Sequence, residues 1–196
     1  MALETEVKVA CSDPEGFRRK LTELGGELSA PRHFEDNFVL DFADGRLRQR
    51  GSLLRVRMAG GNAIITLKGP PMPAGLFKKR VETETSVGDG SVILGILLEL
   101  GLQVWFRYQK YREEYDLTEC GGAGRTLHVA IDETPIGNYL EIEGEEPAIC
   151  RVAERLGIGT EHCLRDSYYA LHVRYCERQG KVPGDMVFVQ SEWFFP

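Results

Sequence analysis

The chain has little of what secreted, membrane-spanning or nucleic-acid-binding proteins need. Its five cysteines, Cys11, Cys120, Cys150, Cys163 and Cys176, are an odd number without a CxxC pair. Neither a disulfide framework nor a zinc knuckle is indicated, and reduced thiols are expected. His162-Cys163 has no second pair at zinc spacing to complete a site. His33, His128 and His172 have no evident nucleophile partner. Basic charge is also short: 24 Lys and Arg stand against 30 Asp and Glu, for a net charge of -6 and a pI near 5.4. A general nucleic-acid binder needs a basic surface for the phosphate backbone, so that class is excluded, although local basic clusters can still hold small anions. The most apolar stretch, SVILGILLELGLQVWF, is broken by Glu99 and by glycines, and no basic leader region opens the chain. No membrane association is expected, and the cytoplasm is the expected location. The GGAG run reads as a hairpin turn rather than a phosphate loop, because no GK[ST] follows it.

What is present suffices for one sizeable core: 196 residues, 42% of them hydrophobic. We read a single domain over residues 1–178 and a tail over 179–196. Ser12-Asp13-Pro14-Glu15 signals a helix start with a Ser cap, and Phe17, Leu21 and Leu24 form its apolar stripe before Gly25-Gly26. A second helix is predicted over 89–100 with Ile93, Ile96, Leu97 and Leu100 inward. A third starts at Glu146-Pro147 and carries Ile149, Val152, Ala153 and Leu156. A last one runs through DSYYALHVRYCER, with Tyr168, Leu171, His172 and Tyr175 on one side. Strand-like runs fill the rest, about eight of them and mostly hairpin-connected.

Successive side chains of a strand point to opposite faces, so a period of two separates its faces. In ETEVK, Glu4, Glu6 and Lys8 share a face. The same period aligns Arg55 with Arg57, sets Lys78, Arg80, Glu82 and Glu84 together, and joins Lys110, Arg112 and Glu114. Asp132 faces away from Val129 and Ile131, Glu141 and Glu143 away from Leu140 and Ile142, and Lys68 closes another strand. Nearly every strand therefore has one face carrying both signs of charge, often with an apolar face behind it. An open sheet with a wet face would account for this, and so would a closed barrel whose charged faces line a tunnel. Amphipathic helices need the apolar faces, which places them outside a barrel. A polyphosphate with bound metal wants both signs, because Lys and Arg hold phosphate oxygens while carboxylates hold Mg²⁺ or Mn²⁺. The alternative use of these charges is a set of structural salt bridges across the lumen.

ETEVK, LLRVR, ITLKGP, KKRVETE, YQKYR, AIDETPIGNYLEIEG and DSYYAL follow one another along residues 3 to 175. In this order they resemble the CYTH family, or triphosphate tunnel metalloenzymes, whose hallmark is an N-terminal ExExK strand. The resemblance implies an α+β fold: a closed eight-stranded, mainly antiparallel barrel with a charged lumen and helices packed outside. It implies metal-site carboxylates at Glu4, Glu6, Glu141 and Glu143, supported by Asp132 and Glu82, with Mg²⁺ or Mn²⁺ as cofactor. It implies a triphosphate cradle of Lys8, Arg55, Arg57, Lys68, Arg80, Lys110 and Arg112. Lys8 and Glu82 are the candidate catalytic groups. Lys8 would act as general base if crowding by other lumen cations depresses its pKa against the pull of Glu4 and Glu6.

The family includes class IV adenylate cyclases, thiamine triphosphatases and inorganic triphosphatases, so it implies the substrate's triphosphate tail better than its head. The expected function is metal-dependent hydrolysis of a small-molecule triphosphate. An adenylate cyclase is the alternative, and a non-catalytic polyphosphate- or nucleotide-binding protein a further one. Phe34, Phe38 and Tyr139 are the candidates for stacking on a base. The resemblance leaves room for a homodimer. The aromatic-rich tail QGKVPGDMVFVQSEWFFP has no counterpart in a minimal family member; capping a tunnel mouth, packing between subunits and disorder are its three readings.

Overall fold

The computed structural model describes residues 2–72, 75–118 and 126–189. Eight strands close into a ring: β1 (Ala2–Ala10), β2 (Glu27–Phe42), β3 (Leu53–Ala59), β4 (Asn62–Lys68), β5 (Lys78–Val87), β6 (Leu102–Leu117), β7 (Leu127–Thr134) and β8 (Gly137–Glu143). Around the barrel the order is β1-β5-β4-β3-β2-β6-β7-β8 and back to β1, with every pairing antiparallel. Closure leaves the barrel strands without a continuous free edge. A two-residue strand, β9 (Cys163–Leu164), pairs with Lys8 and Val9 of β1, where β5 has already diverged.

Register carries the alternation of each strand around the whole barrel. Residues opposite one another in an antiparallel ladder share a face. Glu4 lies opposite Arg80, Glu6 opposite Glu143 and Lys8 opposite Glu141. Lys68 faces Glu82, Arg57 faces Asn37, Glu35 faces Lys110, and Arg112 faces Asp132. The charged faces of separate strands thus become one inner wall.

The apolar faces point outward, where helices cover them. Val7, Val9, Val129, Ile131, Leu140 and Ile142 pack against Leu21 of α1 (Pro14–Glu23) and against Ile149, Val152 and Leu156 of α4 (Glu146–Leu156). Fully burying one such side chain contributes about 1.5–3 kcal/mol, so this layer is a main source of stability. α1 starts one residue later than the sequence signals suggest: Asp13, not Ser12, is the cap, its carboxylate accepting from Gly16 N at 2.9 Å. On the other side α2 (Arg46–Gln49) and α3 (Gly90–Glu99) cover Leu40, Val56 and Leu102.

α3 is rotated relative to the expected face. Ile93, Leu94 and Leu97 pack inward, while Ile96 and Leu100 are 49% and 68% exposed. The helix is apolar on most sides, so its own periodicity cannot choose a face. Two local constraints do: Asp89 caps the amides of Ser91 and Val92, and Gly90 sits so close to Ala63 and Met58 that a Cβ there would lie 2.9 Å from each.

α5 (Tyr168–Arg178) begins at Ser167, whose hydroxyl accepts from Ala170 N. Its Tyr168 and Leu171 join Val39, Phe106, Tyr108 and Tyr139, which belong to the inner faces of their strands. The described part of the tail returns to β6. Met186 exchanges backbone hydrogen bonds with Arg107 and Gln109, at 2.9 Å each, and buries its side chain in the same cluster. The tail thus occupies the part of the β6 edge that β7 does not reach, pairing there in parallel. The expected GGAG turn lies outside the described residues. Cys11, Cys150, Cys163 and Cys176 are free thiols. Among the described residues no helix is long and apolar enough to cross a membrane.

Candidate active site

The inner wall encloses a cavity of about 700 Å³. β1 contributes Glu4, Glu6 and Lys8; β3 contributes Arg55 and Arg57; β4 contributes Lys68; and β5 contributes Arg80 and Glu82. Lys110 and Arg112 come from β6, and Glu141 and Glu143 from β8. Of the metal-site and triphosphate-cradle residues expected from sequence, Asp132 alone does not line this space. It is fully buried behind the wall, where Lys110, Arg112 and the Tyr168 hydroxyl all donate to its carboxylate.

Most of the lumen charges are paired with one another. Lys8 Nζ lies 2.7 Å from Glu141, Lys68 bridges Glu4 at 2.7 Å and Glu82 at 3.0 Å, and Lys78 pairs with Glu6. Arg112 reaches both Asp132 and Glu141, and Lys110 lies between Asp132 at 3.0 Å and Glu35 at 3.5 Å. The salt-bridge network considered as an alternative is therefore real, but it is incomplete, and its gaps fall on both signs.

Two cations are left over. Among the described residues Arg55 donates only to the Tyr108 and Thr66 hydroxyls, each at 3.3 Å, and Arg80 only to the Gly51 carbonyl at 2.6 Å. Among the described residues no carboxylate stands at ion-pair distance from either, and the Nε of each is buried without a partner, as is Asn37 Oδ1. A buried unpartnered donor costs about 1–3 kcal/mol, so these groups are poised for an acceptor. On the acidic side, Glu143 forms no ion pair among the described residues. Its side chain is exposed at the end of β8, yet crowding by surrounding protein on its cavity side, together with the nearby Glu4 and Glu6, pushes its pKa up to about 7. Burial also raises Glu4, more than Lys68 lowers it. Glu6 behaves oppositely: burial would raise it, but Lys78 and Lys8 outweigh burial and hold it at about 2.

Lys8 does not have the depressed pKa that cation crowding would give it. Burial does oppose its charge, but the carboxylates of Glu141 and Glu6 outweigh burial and raise the pKa. The ammonium also lies 4.4 Å from the Tyr168 ring centroid. Lys8 is a fixed positive charge.

Several wall residues were not singled out from sequence. Glu35, 1% exposed, pairs with Arg57 at 3.3 Å as well as with Lys110; burial would raise its pKa, but Lys110, Arg112 and Arg57 hold it far below the usual range. Its signal was the alternation Glu35, Asn37, Val39 opposite Phe34, Asp36, Phe38, masked because both faces mix polar and apolar residues. Trp105, Phe106, Tyr108 and Tyr168 also line the cavity. Phe34 and Phe38 do not. Phe34 is exposed against Tyr111, and Phe38 lies under Arg107 on the outer face, so neither can stack on a ligand in the lumen. Tyr139 does face inward, edge-on to Tyr168.

The carboxylates are hard oxygen donors suited to Mg²⁺ or Mn²⁺, yet among the described residues no three His, Cys, Asp or Glu side chains converge as a preformed metal cage. This suits Mg²⁺, which is bound by one or two carboxylates plus substrate phosphates rather than by a protein cage.

Comparison with known proteins agrees with this geometry. Residues 2–157 match the model of the CYTH domain. The Methanocaldococcus jannaschii protein named "Putative adenylate cyclase MJ0240" is 25% identical over 180 residues, which cover 86% of this chain and 98% of that one. Among solved structures, the PH1012 protein of Pyrococcus horikoshii superposes with a TM-score of 0.69 at 25% identity, over 86% of this chain and 98% of its own. The Hippeastrum protein named "Putative adenylyl cyclase HpAC1", described as having a dominant triphosphatase activity, superposes with a TM-score of 0.61 at 19% identity, over 91% and 97% of the two chains.

Proposed function

Because the chain belongs to the CYTH family, we propose that it is a divalent-metal-dependent phosphohydrolase acting on a small-molecule triphosphate held in the barrel. The observation that carries this reading is the incomplete network: among the described residues Arg55 and Arg80 form no ion pair with a carboxylate, and Glu143 none with a cation, in one cavity. A triphosphate supplies acceptors for the first and a divalent metal supplies charge for the second.

In this reading Arg55 and Arg80 take phosphate oxygens directly. Lys8, Arg57, Lys68, Lys110 and Arg112 add positive potential along the tail and fix its register. Glu4, Glu6, Glu141 and Glu143 hold Mg²⁺ or Mn²⁺, which when bound neutralises phosphate charge and polarises the phosphoryl group. Asp132 enters as a positioning residue: with its oxygens engaged, it orients Lys110 and Arg112 toward the tail. Glu82, beside Lys68 and facing the same cavity, is the acid available to orient an attacking water. Lys8, held protonated, stabilises charge developing in the transition state.

Hydrolysis asks only that water reach the terminal phosphorus. Cyclisation of ATP also needs the 3′-hydroxyl aligned with the α-phosphorus. The Hippeastrum protein named above has triphosphatase activity on the same fold, which supports hydrolysis on such a scaffold; the name of the archaeal relative favours the cyclase. Incubating the protein with tripolyphosphate, ATP and thiamine triphosphate, with Mg²⁺ or Mn²⁺, separates the readings. Orthophosphate release is expected. Cyclic AMP with pyrophosphate would overturn the proposal in favour of the cyclase, and tight binding without turnover would favour a binding protein.

A further inference from the structure

Outside the barrel a second cavity, of about 440 Å³, lies between α4 and the segment that leads from it to β9. Its floor is apolar, since Val7, Phe77 and Ile149 belong to the outer core. One wall is a stripe of α4 in which Cys150, Ala153, Glu154 and Gly157 follow at spacings of three and four, and so share a helix face. Cys163, the first residue of β9, lines the same cavity.

Local backbone devices bring these two thiols to one space. Gly157 ends α4 in the left-handed region, at φ 76°, and the Ile158 amide donates back to the Ala153 carbonyl at 2.8 Å, which folds the chain over the helix end. A short 3₁₀ turn, Thr160–His162, follows, and β9 then pairs with β1, which sets Cys163 opposite Val9. Ala153, one turn beyond Cys150, packs with Ile158 and Cys163 on a single core cluster. The thiols are near enough for charge on one to oppose charge on the other: burial, then Cys150 and Glu161, raise the Cys163 pKa. They differ in access. Cys150 is exposed and Cys163 half-buried, whereas Cys11 and Cys176 are buried elsewhere, just past β1 and on α5.

We infer that Cys150 and Cys163 form a reversible dithiol modification site, which a low-molecular-weight disulfide oxidises to an internal bond tying α4 to β9. The site is independent of the chemistry of the lumen. The accessible Cys150 thiolate attacks one sulfur of the small disulfide; that S–S bond breaks, a mixed disulfide forms on Cys150, and one small thiolate leaves. The Cys163 thiolate then attacks the Cys150 sulfur, forms the internal bond and expels the second small thiolate. The two protein thiols give up two electrons and two protons, and the small disulfide becomes two thiols. Burial makes Cys163 a poor first attacker, because the thiolate is the nucleophile, but its place beside Cys150 suits it to resolve the mixed disulfide. The bond closes a loop over residues 151–162, which restricts the unfolded chain, and holds β9 against Lys8 and Val9 of β1.

The test titrates Cys120→Ser, which removes the cysteine outside the described residues, with glutathione disulfide, and follows it by intact mass and non-reducing peptide mapping. The wild-type chain, mapped in the same way, serves if that variant does not fold. Loss of two hydrogens is expected, with the Cys150 and Cys163 peptides joined, Cys11 and Cys176 still free, and full reversal by dithiothreitol. The melting temperature should rise by about 3 °C or more. Adding Cys163→Ser should halt the reaction at one glutathione on Cys150, and adding Cys150→Ser should slow it about ten-fold or more. A separate glutathione on each of the two thiols, a bond between any other pair, or a bond that forms with a fall in melting temperature would overturn the assignment.

Discussion

At the scale of single residues, the site is defined by which charges are already paired. Arg55 is buried and Arg80 half-buried; among the described residues neither forms an ion pair with a carboxylate, and each keeps an unpartnered buried Nε. Replacing either with Met should weaken triphosphate binding at least ten-fold, while the thermal stability of the ligand-free protein is kept or raised, since an uncompensated buried charge is removed. Calorimetry and a melting curve on each variant check the two halves separately. Glu35 is the opposite case, a carboxylate surrounded by Lys110, Arg112 and Arg57. Its folded pKa lies below the value of about 4.3 for an unfolded glutamate, so its stabilisation is present above that pH and lost as pH falls toward the folded value. Glu35→Gln should cost about 3–5 kcal/mol near pH 7, by leaving Lys110 and Arg57 less compensated. The gap from wild type should begin to narrow below about pH 4.3 and keep narrowing as pH falls; urea unfolding from pH 3 to 7 measures it, and a constant gap would contradict the assignment. Glu35 was not singled out from sequence because both faces of its strand are mixed.

At the scale of elements, patterning was most legible where one face is clearly apolar. α4 shows this: Ile149, Val152 and Leu156 recur at helical spacing, and all three are buried. It was least legible in α3, whose residues are apolar nearly all round, so that its rotation came from the Asp89 cap and the close approach at Gly90. The tail is a further case. PGDMVFV has no long periodic pattern, yet Met186 fills the cluster formed by Val39, Phe106, Tyr108 and Tyr168. Met186→Ala should destabilise the protein by about 2–5 kcal/mol, the usual range for emptying a buried Met site. Ending the chain at Lys181 should cost at least as much, because the amide of Gln109 and the carbonyl of Arg107 lose their partners as well. Urea denaturation of both variants checks this; wild-type stability in the shortened chain would show that the tail is dispensable.

At the scale of the whole molecule, the closed barrel makes charges distant in sequence into neighbours. Glu4 and Glu6 come from β1, yet their direct partners Lys68 and Lys78 come from β4 and β5. Glu4→Gln and Glu6→Gln should each lower metal-dependent turnover by orders of magnitude while the fold is kept, since shape is preserved and charge removed. Unchanged turnover at the same metal concentration would exclude both from the metal site. A triphosphate with Mg²⁺ that completes the network should also stabilise the native state, by about 2.7 kcal/mol at a concentration of 100 Kd. A melting temperature insensitive to tripolyphosphate, ATP and Mg²⁺ in every combination would count against the proposed site.

By itself, the sequence determined the class of wall. A period of two, repeated with charge on one face and apolar residues on the other, means a barrel or sheet with helices on the apolar side, and the order of motifs identified the family. It did not determine which charges remain free, because that depends on register between strands far apart in the chain. It placed Phe34 and Phe38 among the stacking candidates, whereas register sends them outward and a bulge at Trp105 turns a different ring inward. Local pattern specifies the face of a strand; pairing and bulges, which need the partner strand, decide what meets across the cavity.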